Sequence, residues 1–97
     1  MLKISKIYEG EYSIHFIEPV EVVDKTSGFQ LKKEIGRMLK DHRVFRIDLK
    51  GVQNVDKNGY KMIGELLVLA AGRSCKIYFE NSNPLLQNKL DTLKVTS

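Results

Sequence analysis

Apolar and polar residues alternate strictly between Val44 and Lys50. Phe45, Ile47 and Leu49 point one way, and Arg46, Asp48 and Lys50 the other. A period of two marks a half-buried strand. Gly51 ends it. Beyond a short polar loop the period becomes helical, with Ile63, Leu66, Leu67 and Ala70 on one stripe. Asp56 and Asn58 are N-cap types, Gly59 permits close backbone approach, and Gly72 fits a C′ position. Residues 44–71 therefore read as strand, loop and amphipathic helix. A functional site is expected where the strand hands over to the helix.

The flanking segments extend this pattern. Residues 2–8 alternate apart from Ile7, and Tyr12 to Ile17 place Tyr12, Ile14 and Phe16 on one face. With Gly10 in the turn Glu9-Gly10-Glu11, the two segments predict an antiparallel hairpin. Pro19 breaks the pattern, and Val20, Val22 and Val23 suggest a bend or a short edge segment. Asp24 to Gly28 reads as a loop. Leu31, Ile35, Met38 and Leu39 predict a helix from Phe29 to about Lys40, closed by Asp41-His42-Arg43. Cys75, Ile77 and Phe79 alternate with Lys76, Tyr78 and Glu80 in a further strand. Asn83 and Pro84 then start a last helix, with Leu85, Leu86, Leu90 and Leu93 facing inward.

The predicted order is β-β-α-β-α-β-α, a small α/β domain spanning residues 1–97. Strands separated by helices imply a mixed, partly parallel sheet with right-handed crossovers. Because the strands alternate rather than being apolar throughout, the helices are expected mainly on one face of the sheet, leaving the other partly solvated.

Composition narrows the functional classes. The chain has 97 residues, 42% hydrophobic and 29% charged, and a formal net charge of +4. Its longest apolar run, residues 66–71, is far short of the roughly 20 residues of a membrane span. The N-terminus lacks the apolar core of a signal peptide. With the single Cys75 excluding an internal disulfide, these features point to the cytoplasm. Lys32, Lys33, Arg37, Lys40 and Arg43 crowd one segment, diluted by Glu34 and Asp41, and read first as a solvated helix face. No RNA-binding aromatic motif accompanies them, which argues against a nucleic-acid partner. A basic RNA-binding domain would show affinity falling steeply with salt.

Neither His15 nor His42 has a Cys or His at metal-ligand spacing, so no metal is expected. Gly-rich phosphate loops, Gly-x-Ser-x-Gly elbows and two-Cys motifs are missing, and no cofactor is expected. No nucleophile–base constellation can be assembled, which argues against an enzyme. Cys75 reads as a small buried hydrophobe. Asp48 and Asp56 read as structural carboxylates, Asp56 as the cap of the central helix.

The central stretch resembles the STAS domain family (sulphate transporter and anti-sigma factor antagonist). The residues that carry the resemblance are Ile47-Asp48-Leu49-Lys50-Gly51-Val52, Val55-Asp56-Lys57-Asn58-Gly59 and the Leu-rich helix that follows. The family's pattern is a strand ending Asp-Leu-Ser-Gly-Val, a short spacer, Asp-Ser-Ser-Gly and an apolar helix. Its next strand ends near an Asn, before a Pro-containing helix start. Phe79-Glu80-Asn81-Ser82-Asn83-Pro84 is similar to that. The likeness is densest over residues 44–93.

The resemblance implies a non-enzymatic protein-interaction module, of the anti-sigma factor antagonist type, in a bacterial partner-switching pathway. Its partner would be an anti-sigma factor that is also a serine kinase. The runner-up is a STAS subunit docked on the ATPase of an ABC transport complex. In switching members the second Ser of Asp-Ser-Ser-Gly is phosphorylated, placing about −1.5 to −2 charges at a helix N-terminus beside the binding surface. Here Lys57 and Asn58 occupy the two Ser positions, so no phosphorylation is expected and Asn58 mimics the unphosphorylated state. The expected binding surface is the 52–61 loop and the outer side of the next helix: Asp56, Lys57, Asn58, Gly59, Lys61, Met62 and Glu65. Lys57 opposes the helix macrodipole, and with Lys61 it suits an acidic patch on a partner. An exposed sheet edge or an apolar helix face is compatible with a homodimer.

Overall fold

The structure is a computed structural model that describes residues 1–96, and the side chains of residues 1–93. The hairpin strands are β1 (Leu2–Tyr8) and β2 (Glu11–Phe16), joined through Gly10 at φ 77°. A two-residue strand β3 (Val22–Val23) precedes helix α1 (Lys25–Gly36). Strand β4 (Val44–Asp48), the short β5 (Asn54–Val55) and helix α2 (Lys57–Ala71) form the central unit. Strand β6 (Lys76–Glu80) and helix α3 (Pro84–Thr96) complete the chain.

The main sheet is mixed, in the order β1-β2-β4-β6, with β1 antiparallel to β2 and the other two pairs parallel. Its register places Tyr12, Phe45 and Ile77 in one row and Ile14, Ile47 and Phe79 in the next. These rows form the floor of the core, with the Tyr12 and Phe45 rings stacked at 5.6 Å. Leu31 and Ile35 of α1, Ile63 and Leu66 of α2, and Leu86 and Leu90 of α3 close over them, each fully buried. The opposite face carries Ser13, Arg46 and Tyr78 in register. There Arg46 bonds Glu11 of β2 and Glu80 of β6, bracing three strands on the open side. The expected fold class is thus observed: an α/β domain with a mixed four-stranded sheet, three helices and one open sheet face.

Several boundaries differ from expectation, each for a local reason. The Ile7 break is a register shift between Lys6 and Tyr8, a bulge on an edge strand. Helix α1 begins four residues earlier than its apolar period suggested, because Asp24 and Ser27 form a reciprocal capping box. It also ends earlier, at Gly36; Met38 and Leu39 pack on the core from an irregular segment. Gly28, read as loop, lies inside the helix because α1 meets α2 there. A Cβ on Gly28 would sit 3.1 Å from the Gly59 Cα. Gly72 caps α2 at φ −64°, not in the left-handed conformation a C′ glycine usually supplies. Leu85 was expected to face inward but is 67% exposed, while Leu86 and Leu90 are fully buried.

Candidate functional site

The strand-to-helix handover is built from backbone outward. Strand β4 ends at Asp48, whose carboxylate accepts from the Lys50 N–H at 2.9 Å and from the Asn81 Nδ2 at 3.0 Å. The Asn81 bond, ahead of the others, holds the Asp48 carboxyl below the usual range. His15 Nδ1 lies 3.8 Å from the same carboxylate, on the open sheet face. Gly51 then turns the chain at φ 84°. Asp48 and Asp56 share no bonding partner, and both carboxylates serve the backbone, as a structural reading of them requires.

The loop that follows is clamped from two sides. On one side β5 pairs with β3 in parallel, and Gln53, Asn54 and Asp56 donate backbone N–H bonds to Glu21 and Val23. On the other side α3 reaches in. Asn83 Nδ2 donates to the carbonyl oxygens of Val52 and Gln53, at 3.4 and 3.1 Å. Lys89 Nζ donates to Asn54 Oδ1 at 2.9 Å and to the Val55 carbonyl at 3.1 Å. These braces were missed in the sequence. Two-residue strands show no period, and no local signal announces a lysine that acts 35 positions away.

Helix α2 starts with Asp56 as N-cap, its Oδ1 accepting from the Gly59 N–H at 2.8 Å. Lys57 and Asn58 follow in the first turn, both exposed. Lys61 is exposed one turn on, on the same face as Lys57. Between the start of α2 and α3 lies a cleft of about 430 Å³, with Lys57, Tyr60, Lys89 and Thr92 among its walls. Asp56 lines it as well, so its two ammonium groups and the helix N-terminus stand beside one carboxylate, which accepts from the Gly59 N–H.

Three expected surface residues are placed otherwise. Gly59 is buried: a Cβ there would fall 2.0 Å from the Val23 carbonyl oxygen, so its role is close packing of α2 on β3. Met62 is half-buried against α1 beside Gly28. Glu65 does not present a free charge, because its carboxylate accepts from Lys32 Nζ of α1 at 2.7 Å. That bond holds the Glu65 carboxyl below its usual range. The contiguous exposed set is therefore Asp56, Lys57, Asn58 and Lys61, with the cleft beside it.

Among the described residues, no group of three His, Cys, Asp or Glu side chains is placed to hold a metal ion. Among them, too, no helix is long and apolar enough to cross a membrane. The chain matches no known family model, and no curated protein matches it at a significant level.

Proposed function

We propose that this chain is a non-enzymatic protein-interaction module of the STAS type, similar to the anti-sigma factor antagonists. It acts in a bacterial cytoplasm on a regulatory partner with serine-kinase character. The observation that carries the reading is the position of Asn58. It is exposed in the first turn of α2, where the resembling family carries its phosphate-accepting serine, next to the Asp56 cap and the cleft between α2 and α3. Element order and the residue likeness over 44–93 support it.

In this reading Asn58 holds the surface in the competent, unphosphorylated condition, and binding is constitutive. Lys57 and Lys61 steer an acidic patch of the partner onto the start of α2, a charge effect exerted mainly on the association rate. An acidic side chain of the partner fits the cleft between Lys57 and Lys89.

The test is affinity capture from the native organism, with Asn58→Asp run in parallel. Recovery of a kinase-like anti-sigma factor that the Asn58→Asp protein fails to bind is the expected result. An ABC-type ATPase in its place moves the protein to a transport complex. A partner bound equally by both proteins removes position 58 from the interface.

A further inference from the structure

Five asparagines occur in the chain, and four of them are restrained. The Asn54 side-chain oxygen accepts from the Val55 N–H and from Lys89 Nζ. Asn81 donates to Asp48, and Asn83 donates to the carbonyls of Val52 and Gln53 while accepting from the Leu86 N–H. Asn88 lies inside α3, where the next N–H belongs to the helical ladder. Asn58 differs on each count. It is exposed, and among the described residues its carboxamide bonds nothing. It also precedes Gly59, in the one Asn-Gly pair of the sequence.

The residue after an asparagine decides how freely its backbone nitrogen meets the carboxamide carbon. Glycine, without a Cβ, hinders that approach least. The position of Gly59 in its helix matters as much. It stands among the first four N–H groups of α2, which have no carbonyl one turn back to bond. The Val55 carbonyl, four residues earlier, accepts from Lys89 instead, and the backbone ladder begins with Tyr60 bonding the Asp56 carbonyl. What holds the Gly59 N–H is a single side-chain bond, to Asp56 Oδ1 at 2.8 Å.

We propose that Asn58–Gly59 is a site of spontaneous deamidation whose rate is set by the Asp56 cap. The Gly59 nitrogen, released from Asp56, attacks Cγ of Asn58. The N–Cγ bond forms, the Cγ–Nδ2 bond breaks, and ammonia leaves with the proton that Gly59 gives up. The cyclic imide then takes up one water. Opening at Cγ leaves aspartate at position 58, and opening at the main-chain carbonyl leaves isoaspartate. The negative charge of the attack develops at the N-terminus of α2 beside exposed Lys57, where it is favoured. Asp56 opposes the reaction. While its carboxylate holds the Gly59 hydrogen, conversion waits on a local opening of the first helical turn. The chemistry is independent of the function proposed above, but its consequence rests on that reading. Each conversion adds a negative charge where the resembling family places a phosphate, and so retires the binding-competent chain once and without reversal.

The experiment incubates the full chain at mildly alkaline pH and maps its peptides by mass spectrometry, with fragmentation that separates aspartate from isoaspartate. Conversion is expected at Asn58 ahead of Asn54, Asn81, Asn83 and Asn88. Asp56→Ala is expected to speed it about fivefold, the factor that a cap of ordinary strength represents. Asp56→Ser, which retains a capping oxygen, should stay near the parent rate. Ile35→Val weakens the core to a similar degree without touching the cap, and should leave the rate unchanged. Absence of conversion at position 58 overturns the proposal, as does conversion that begins at another asparagine. So does a rate that Asp56→Ala leaves equal or lowers, or one that Ile35→Val raises as much. None of these readouts involves a partner, so a failure of the proposed function leaves them standing.

Discussion

At the scale of single residues, the handover loop depends on two backbone devices with distinct signatures. Asp56 satisfies an otherwise open N–H at the start of α2, and caps of this kind are worth about 1 kcal/mol. Asp56→Ala is expected to lower stability by that amount, seen as a lower urea midpoint with the slope unchanged; an unaltered midpoint would show the cap to be energetically idle. Gly59 is a packing residue. A methyl group at 2.0 Å from the Val23 oxygen must push α2 off β3, so Gly59→Ala is expected to cost about 2 kcal/mol or more. Chemical denaturation of Gly59→Ala and Gly36→Ala side by side checks this, because Gly36→Ala meets no neighbour and is expected to be neutral or stabilising. The sequence announced Asp56, since cap chemistry is local. It announced Gly59 only as a place of close approach; burial against β3 depends on a partner more than thirty residues upstream, which no window of sequence contains.

At the scale of elements, the four strands of the main sheet were legible, as were the end of α2 and the start of α3, and the ends of α1 were not. Strand alternation of Phe45/Ile47 and Ile77/Phe79 survives intact because a one-residue slip would turn every core side chain to the open face. The apolar period carries α1 past its true end because it runs on through Met38 and Leu39, which pack on the core without being helical. In α3 the Leu85-Leu86 doublet was read as wholly inward, though adjacent helical positions stand about 100° apart and cannot both face the core squarely. The placement gives a sharp contrast. Leu86→Ala is expected to cost about 2–5 kcal/mol, whereas Leu85→Ala should stay within about 0.5 kcal/mol of the parent. Urea midpoints of the two proteins decide it, and similar losses would mean that α3 is rotated about its axis.

At the scale of the whole molecule, the open sheet face and the helical layer respond to different conditions. Asp48 of β4 is tied to Asn81 just past β6, and its folded pKa lies below the unfolded value of about 3.9. The stability this link contributes is present above that unfolded value and is lost as the pH falls through the folded one. Depressed carboxyls at Asp24, through Ser27, and at Glu65, through Lys32, act in the same direction. Asn81→Ala is therefore expected to be less stable at neutral pH but to lose less on acidification. Comparing urea midpoints at neutral pH and at about pH 3 for both proteins checks the sign. The sequence placed the open face correctly, because alternation is a direct record of one-sided burial. It did not reveal the Asn83 and Lys89 braces, which exist only once α3 has folded back over the loop. That arrangement has a further consequence. The loop borrows part of its order from the last helix of the chain, so the protection its amides gain from bonding Glu21 and Val23 should weaken once α3 undocks. Undocking α3 with its leading Asn83, by truncation before Asn83 or by a partner that grips it, would release the carbonyls of Val52, Gln53 and Val55 together. The expected signature is deuterium uptake rising over residues 52–56 before it rises in β4, making α3 a latch on the loop as well as one wall of the cleft beside it.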